Sequence, residues 1–195
     1  MPSFKYIIAE NGKFCGFRFH LYLCRCRTGM WIKMTIRLAM RNDFDFYFAL
    51  KSEDFNIFWV GAETYPDKNR LKTFFYNAVD NAEKPDTRKI YIIENEEGSK
   101  VGHLYIIPEG NSFELATAIL EKYCGKGYGR RAIELGFEEG KRLGFQKMIT
   151  KIREDNVASM KAYMSCGVKK RDDFAMVYIP KLAREVRMYY MEYNY

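Results

Sequence analysis

A glycine-spaced stretch, YCGKGYGRR at residues 123–131, holds the residue types best suited to gripping an anion. It lies between an apolar run at 113–120 and an amphipathic run at 132–143, so the order reads strand, glycine turn, helix. Gly125, Gly127 and Gly129 admit backbone conformations that a Cβ would forbid. A helix start at such a turn aims unsatisfied N–H groups at one point, and the helix dipole adds positive potential there. Arg130 and Arg131 fall in the first turn, where the dipole alone would favour acids. A bound phosphate would relieve that conflict. An ordinary turn that happens to be rich in glycine gives the same pattern.

A second constellation follows at 153–168, REDNVASMKAYMSCGV. Asn156 is a good helix N-cap and Ser159 sits one turn further on. Tyr163 is one of 15 tyrosines, most of which suit amphipathic packing. Together the two segments resemble the GNAT superfamily of acetyl-CoA-dependent N-acetyltransferases. The superfamily's cofactor loop, Gln/Arg-x-x-Gly-x-Gly/Ala, falls on residues 124–129. Its later motif, N-x-x-S-x-x-x-Y-x-x-x-G-F, falls on Asn156, Ser159, Tyr163, Gly167 and Val168 without gaps. Cys124 stands where the superfamily has Gln or Arg, and Val168 where it has Phe. The first departure matters little if the loop works through backbone N–H groups. The resemblance spans about residues 34–193.

The resemblance implies a site. Acetyl transfer to an amine needs a thioester carbonyl held near the amine, loss of a proton from the amine and stabilisation of the departing thiolate. Tyr163 matches the tyrosine that serves as general acid towards the thiolate. A phenol with its ordinary pKa of ~10 is neutral at pH 7 and able to donate. Asn156 matches the asparagine that holds the pantetheine arm, and Ser159 is a further cofactor contact or a solvated helix residue. The cofactor would lie along Ala118, Ile119 and Leu120 and on the loop of Cys124, Gly125, Lys126, Gly127, Tyr128, Gly129 and Arg130. Glu114 lies near the position of the glutamate that activates the amine through water in histone-type lysine acetyltransferases. A solvent-facing residue at a strand start is the competing reading. In the ribosomal-alanine subfamily the base lies five residues before the motif asparagine, and here that position is Lys151, so that mechanism does not carry over. Substrate selection in the superfamily comes from the first two helices, here 43–79. Asn56, Ile57, Phe58 and Trp59, with Pro66, Asp67 and Lys68, are similar to acetyltransferases of bacterial surface-sugar pathways. Phe58 and Trp59 would stack on a sugar or pack between helices. The implied activity is acetyl transfer from acetyl-CoA to a primary amine, with a small amine or amino sugar first. A protein N-terminus or lysine, and a non-catalytic acyl-CoA-binding module, stand as alternatives.

Composition narrows the field. The chain has 195 residues, 48% hydrophobic and 16% aromatic, which indicates a folded domain with a proper core. No apolar run approaches the ~18 residues of a membrane span, and the first residues are too polar for a signal peptide, so a cytoplasmic protein without membrane attachment is expected. Cys15, Cys24, Cys26, Cys124 and Cys166 are odd in number and lack CxxC spacing, which argues against a disulfide framework or zinc. With only His20 and His103, no metal is expected. The formal charge of +7 is scattered and suits a phosphorylated cofactor, while nucleic acid is not expected as a partner because no recognition motif accompanies it.

The elements that must position these residues can be read in turn. Residues 4–9 and 13–23 form a hairpin around Asn11-Gly12, and 89–94 with 101–107 form a similar one. Residues 1–33 are then an N-terminal β-hairpin extension, and 34–195 the acetyltransferase-like domain. A strand at 34–40 precedes a helix over 43–51 capped by Asn42, and Thr64 caps a second helix that reaches about residue 79. Strand 113–120, a helix with Ile133, Gly136, Phe137 and Gly140 on one face, strand 146–152, a helix capped by Asn156, and a hairpin at 174–179 and 185–193 complete the domain. The fold class is α/β: a mixed, largely antiparallel sheet flanked by helices. The resemblance implies that 113–120 and 146–152 splay apart to admit the cofactor. Phe14, Phe17, Phe19, Leu21 and Leu23 make the N-terminal hairpin too apolar for a free tail, so it packs on the domain or completes a homodimer.

Overall fold

A computed structural model describes residues 22–25 and 31–195. Among these residues, eight strands form one sheet in the order β1-β2-β3-β4-β5-β6-β8-β7. They are β1 (Tyr22–Arg25), β2 (Trp31–Leu38), β3 (Lys89–Asn95), β4 (Lys100–Glu109), β5 (Ser112–Ile119), β6 (Lys147–Arg153), β7 (Lys169–Ile179) and β8 (Arg184–Asn194). Every neighbouring pair is antiparallel except β5 and β6. The hairpin expected around Asn11-Gly12, and its likeness to the β3–β4 hairpin, lie outside the described residues, apart from positions 22 and 23 in β1. No helix among the described residues is long and apolar enough to cross a membrane.

Among the described residues, five α-helices cover the two faces. Between β2 and β3 run α1 (Phe44–Lys51), α2 (Asp54–Val60) and α3 (Lys68–Asp80), and α4 (Tyr128–Arg142) and α5 (Val157–Ser165) follow β5 and β6. The sequence led us to expect two helices before β3, and there are three. The additional one, DFNIFWV, is seven residues long with no polar face to give it a period, and Gly61 ends it in the left-handed conformation. The cap of α3 is Asp67, whose carboxylate accepts the Arg70 N–H at 2.7 Å, not Thr64. A start at Thr64 would require Tyr65 to be helical immediately before Pro66, which that proline disfavours. Likewise Asn42 does not cap α1. It lies in a 3-10 turn, Arg41–Asp43, ahead of the helix.

Alternation of strand residues sends Tyr91, Leu104, Ile106, Phe113 and Leu115 into a core under α4, and Ile90, Ile92 and Tyr105 into a second core with Phe44, Tyr47 and Phe75 from α1 and α3. The glycines of α4 bring it close to β5. A Cβ on Gly136 would stand 2.6 Å from Leu115, and one on Gly140 would collide with the Phe113 ring. Wholly buried Asp43 ties the strand layer to the helices, pairing with Arg37 of β2 at 2.7 Å and Lys100 of β4 at 2.6 Å.

Candidate active site

The parallel ladder between β5 and β6 is short. It joins Ser112 to Lys147, Phe113 to Met148 and Glu114 to Ile149, and then the strands part. The gap beyond opens into a cavity of about 160 Å³ lined in part by Ala116, Thr117, Ala118, Thr150, Lys151 and Arg153. The splay expected from sequence is therefore present. Its backbone can be assigned by parity. The Leu120 N–H bonds Val101 O of the β4 side, and Asn111 O accepts the Gln146 N–H of the β6 side. The β4–β5 register has no bulge between them. The main-chain groups of Ala116, Ala118 and Leu120 therefore face β4, while those of Leu115, Thr117 and Ile119 face the gap. Thr117 has no β6 residue paired opposite it. Leu115 O accepts Tyr163 Oη at 3.2 Å and Ile119 O accepts Asn56 Nδ2 at 3.4 Å. The backbone of Thr117 was not singled out by sequence, although hydrogen-bond parity would have found it once the strand pairing was known.

Tyr163 sits where the strands separate, 3% exposed, and its hydroxyl serves a carbonyl that β6 no longer reaches. Burial pushes the phenol up to about 12, against the hydroxyls of Thr117 and Thr150. It keeps its proton across the neutral range. Asn156 caps α5 by accepting the Ser159 N–H at 3.1 Å, and Asn156, Ser159 and Tyr163 all line the cavity. Glu114 stands beside the cavity, paired at 3.3 Å with Lys151, which does line it.

At the far end of β5 the glycine loop leads into α4. Gly125 and Gly127 take φ of +74° and +90°, and Gly127 is the N-cap. A residue with a Cβ would be strained at either position. The helix opens with the bond from Arg131 N–H to Gly127 O, so the N–H groups of Tyr128 and Gly129 precede its first internal bond. A Cβ on Gly129 would meet nothing within 4 Å among the described residues, so their packing does not require glycine there. Space for a close-approaching anion is thus built at a helix start. The two arginines of the first turn behave differently from the sequence expectation. Glu134 pairs with both Arg130 at 3.1 Å and Arg131 at 3.0 Å, so an acid of the same helix meets their charge. Cys124 is exposed, and its thiol points at Leu120 O at 3.7 Å. Lys126 and Tyr128 flank Tyr123, whose ring lies 6.0 Å from Lys126 Nζ and 5.2 Å from the Tyr128 ring.

Arg153, which sequence reading passed over, organises the opposite wall. It is 3% exposed, donates to Phe58 O at 2.7 Å and to both oxygens of Asp155 at 3.0 and 2.7 Å, and lies about 5 Å from the Phe58 and Trp59 ring centres. Phe58 and Trp59 thus meet a cation of the chain, and Trp59 also lines the cavity. Among the described residues no group of three or more His, Cys, Asp or Glu side chains could hold a metal ion.

The family model described as an acetyltransferase (GNAT) domain matches residues 33–169. No curated protein matches the chain. Among solved structures, the spermidine N-acetyltransferase from Vibrio cholerae in complex with CoA and spermine is similar at a TM-score of 0.73 and 18% identity, covering 83% of this chain and 95% of that one. A ribosomal-protein-alanine N-acetyltransferase from Brucella melitensis is similar at 0.69 and 21%, covering 82% and 99%. A phosphinothricin acetyltransferase from Sinorhizobium meliloti in complex with acetyl-CoA is similar at 0.68 and 19%, covering 83% and 88%.

Proposed function

We infer the function of this chain from one premise: it belongs to the GNAT acetyltransferase family. It is an N-acetyltransferase that moves an acetyl group from acetyl-CoA to a primary amine, with a small amine or amino sugar as acceptor. The observation that carries this reading is the gap between β5 and β6, where freed backbone groups, a glycine-built helix start and a buried tyrosine converge.

The residues fit a CoA thioester. The N–H groups at the start of α4 suit the pyrophosphate, and the open side of Gly129 lets it approach. The Thr117 main chain and the Ile119 N–H suit the amides of the pantetheine arm, which would add to the sheet as a strand does. Asn156 and Ser159 border the arm from the start of α5. The thioester supplies an activated acetyl group, and the protein supplies alignment and proton transfer. Tyr163 turns its hydroxyl from Leu115 O towards the departing sulfur and gives up a proton there. Glu114, held by Lys151, takes the proton of the amine through water.

A module that binds acyl-CoA without turnover would keep the same Tyr163–Leu115 bond, because that bond completes a structural role by itself. Release of free CoA from acetyl-CoA, followed across a panel of amines, separates the two readings. Amine-dependent release is expected, and binding without release from any amine would leave the module.

A further inference from the structure

A second cavity of about 110 Å³ adjoins the first, with Asn56, Val60 and Ala118 in both walls. Its lining is apolar at Ile57, Val60, Pro66 and Ala118, and Lys51 and Thr64 are its polar residues besides Asn56. It lies between α1, α2 and the segment before α3, against Ala118 of β5. That is where an acceptor would wait.

The charges around it are one-sided. Lys51 ends α1, and among the described residues no carboxylate lies within ion-pair distance of it or of Arg88. The charge of Arg88 acts on Lys51, while Arg88 itself leans on the Phe74 and Tyr105 rings and leaves its Nε buried without a hydrogen bond. Behind the wall stands His103, the cross-strand partner of Ala118, 2% exposed and with both ring nitrogens unpartnered. Burial, and then the charge of Lys51, hold it down to about 3, so it is neutral and brings no third charge. Two acids at the start of α2 are engaged elsewhere: Glu53 accepts from Asn56 and the Glu121 N–H, and Asp54 accepts from Tyr65. Burial and Arg88 both lower the Lys51 pKa, as expected of an ammonium short of a counter-ion. A lysine at a helix C-terminus has a bland explanation in the dipole, but the dipole does not explain a second cation beside it that also lacks a carboxylate partner.

We propose that the acceptor is a small amine carrying an anionic group, a carboxylate or a phosphate, which seats against Lys51 and Thr64 while its amine reaches past Val60 and Ala118 into the gap. The proposal rests on the acetyltransferase reading above. It also sets the acceptor apart from polycationic amines, which the same two cations would repel.

Matched acceptors test it. The kcat/KM for 4-aminobutyrate over that for butylamine reads a carboxylate, and glucosamine 6-phosphate over glucosamine reads a phosphate. A charge-assisted contact predicts a ratio of about 10 to 100 for at least one pair, with spermidine poorer than either anion. Lys51→Met should bring that ratio towards one, mainly through KM, and Lys51→Glu should invert it in favour of spermidine, each checked for folding by thermal melting. The wild-type ratios decide even if a variant fails to fold. Calorimetry of each pair on the CoA-bound protein reads the preference without turnover, so a protein that binds but does not acetylate still reports on the pocket. Equal ratios in the wild type, or a ratio that Lys51→Met leaves unchanged, would overturn the proposal while leaving the acetyltransferase reading intact.

Discussion

Tyr163 carries two roles that can be separated. Its ring fills buried space and its hydroxyl serves Leu115 O. Tyr163→Phe keeps the ring and removes the donor. Loss of general acid catalysis is worth ~10²–10⁴-fold, so kcat should fall by that order with acetyl-CoA affinity little changed. The buried carbonyl left without a partner should lower stability by about 1–3 kcal/mol, read by denaturant unfolding. Because the phenol is raised to about 12, its proton is retained throughout the neutral range, and an alkaline loss of kcat due to Tyr163 should appear only near that pH. Gly129 gives an opposite signature. A Cβ there meets nothing, and glycine within a helix costs up to about 1 kcal/mol relative to alanine. Gly129→Ala should therefore leave the free protein as stable or more so, yet weaken CoA binding by calorimetry. A destabilised variant with normal CoA affinity would show that the glycine serves the fold and not the ligand.

At the scale of elements, Asp43 joins β2, β4 and the turn before α1. Burial works to raise its carboxyl, but hydrogen bonds from Arg37, Lys100 and the Met40 N–H outweigh it and hold it at about 2. A carboxyl depressed on folding adds stability that is complete above its unfolded pKa of about 3.9 and is lost as pH falls from there towards 2. Asp43→Ala should cost about 3–5 kcal/mol at neutral pH, because two cations lose a buried partner, and the wild-type advantage should shrink in unfolding measurements below pH 4. The elements also show what sequence could convey. The face of α4 was legible because Gly136 and Gly140 recur at helical spacing and leave no other reason for two glycines in a helix. The helix α2 was not, because its seven residues, five of them apolar, are too short a run to display a helical period, and its buried side at Asn56 and Ile57 is seen only in the folded chain.

Across the whole molecule, the β5–loop–α4 and β6–α5 units were legible because each holds its candidate cofactor-binding groups within one short stretch of chain. The walls proposed to choose an acceptor were not. Lys51, Thr64, Arg88 and His103 come together only when α1, α2, β3 and β4 assemble, and no spacing in the sequence links them. Arg153 is similar, since its meaning comes from Phe58 and Trp59, nearly a hundred positions earlier. The same division holds for the activity. The half of the site proposed to take acetyl-CoA follows from local motifs, and the half proposed to take the amine follows from packing. The central claim joins the halves: this chain carries an acetyl group from one to the other. Incubation with acetyl-CoA labelled with ¹³C in the acetyl group, followed by mass spectrometry of the amines present, tests it most directly. The account predicts labelled N-acetyl product in amounts equal to the CoA released, and strongly reduced in Tyr163→Phe. Protein that binds acetyl-CoA tightly yet labels no amine, or that releases CoA only with labelled acetate, would contradict it.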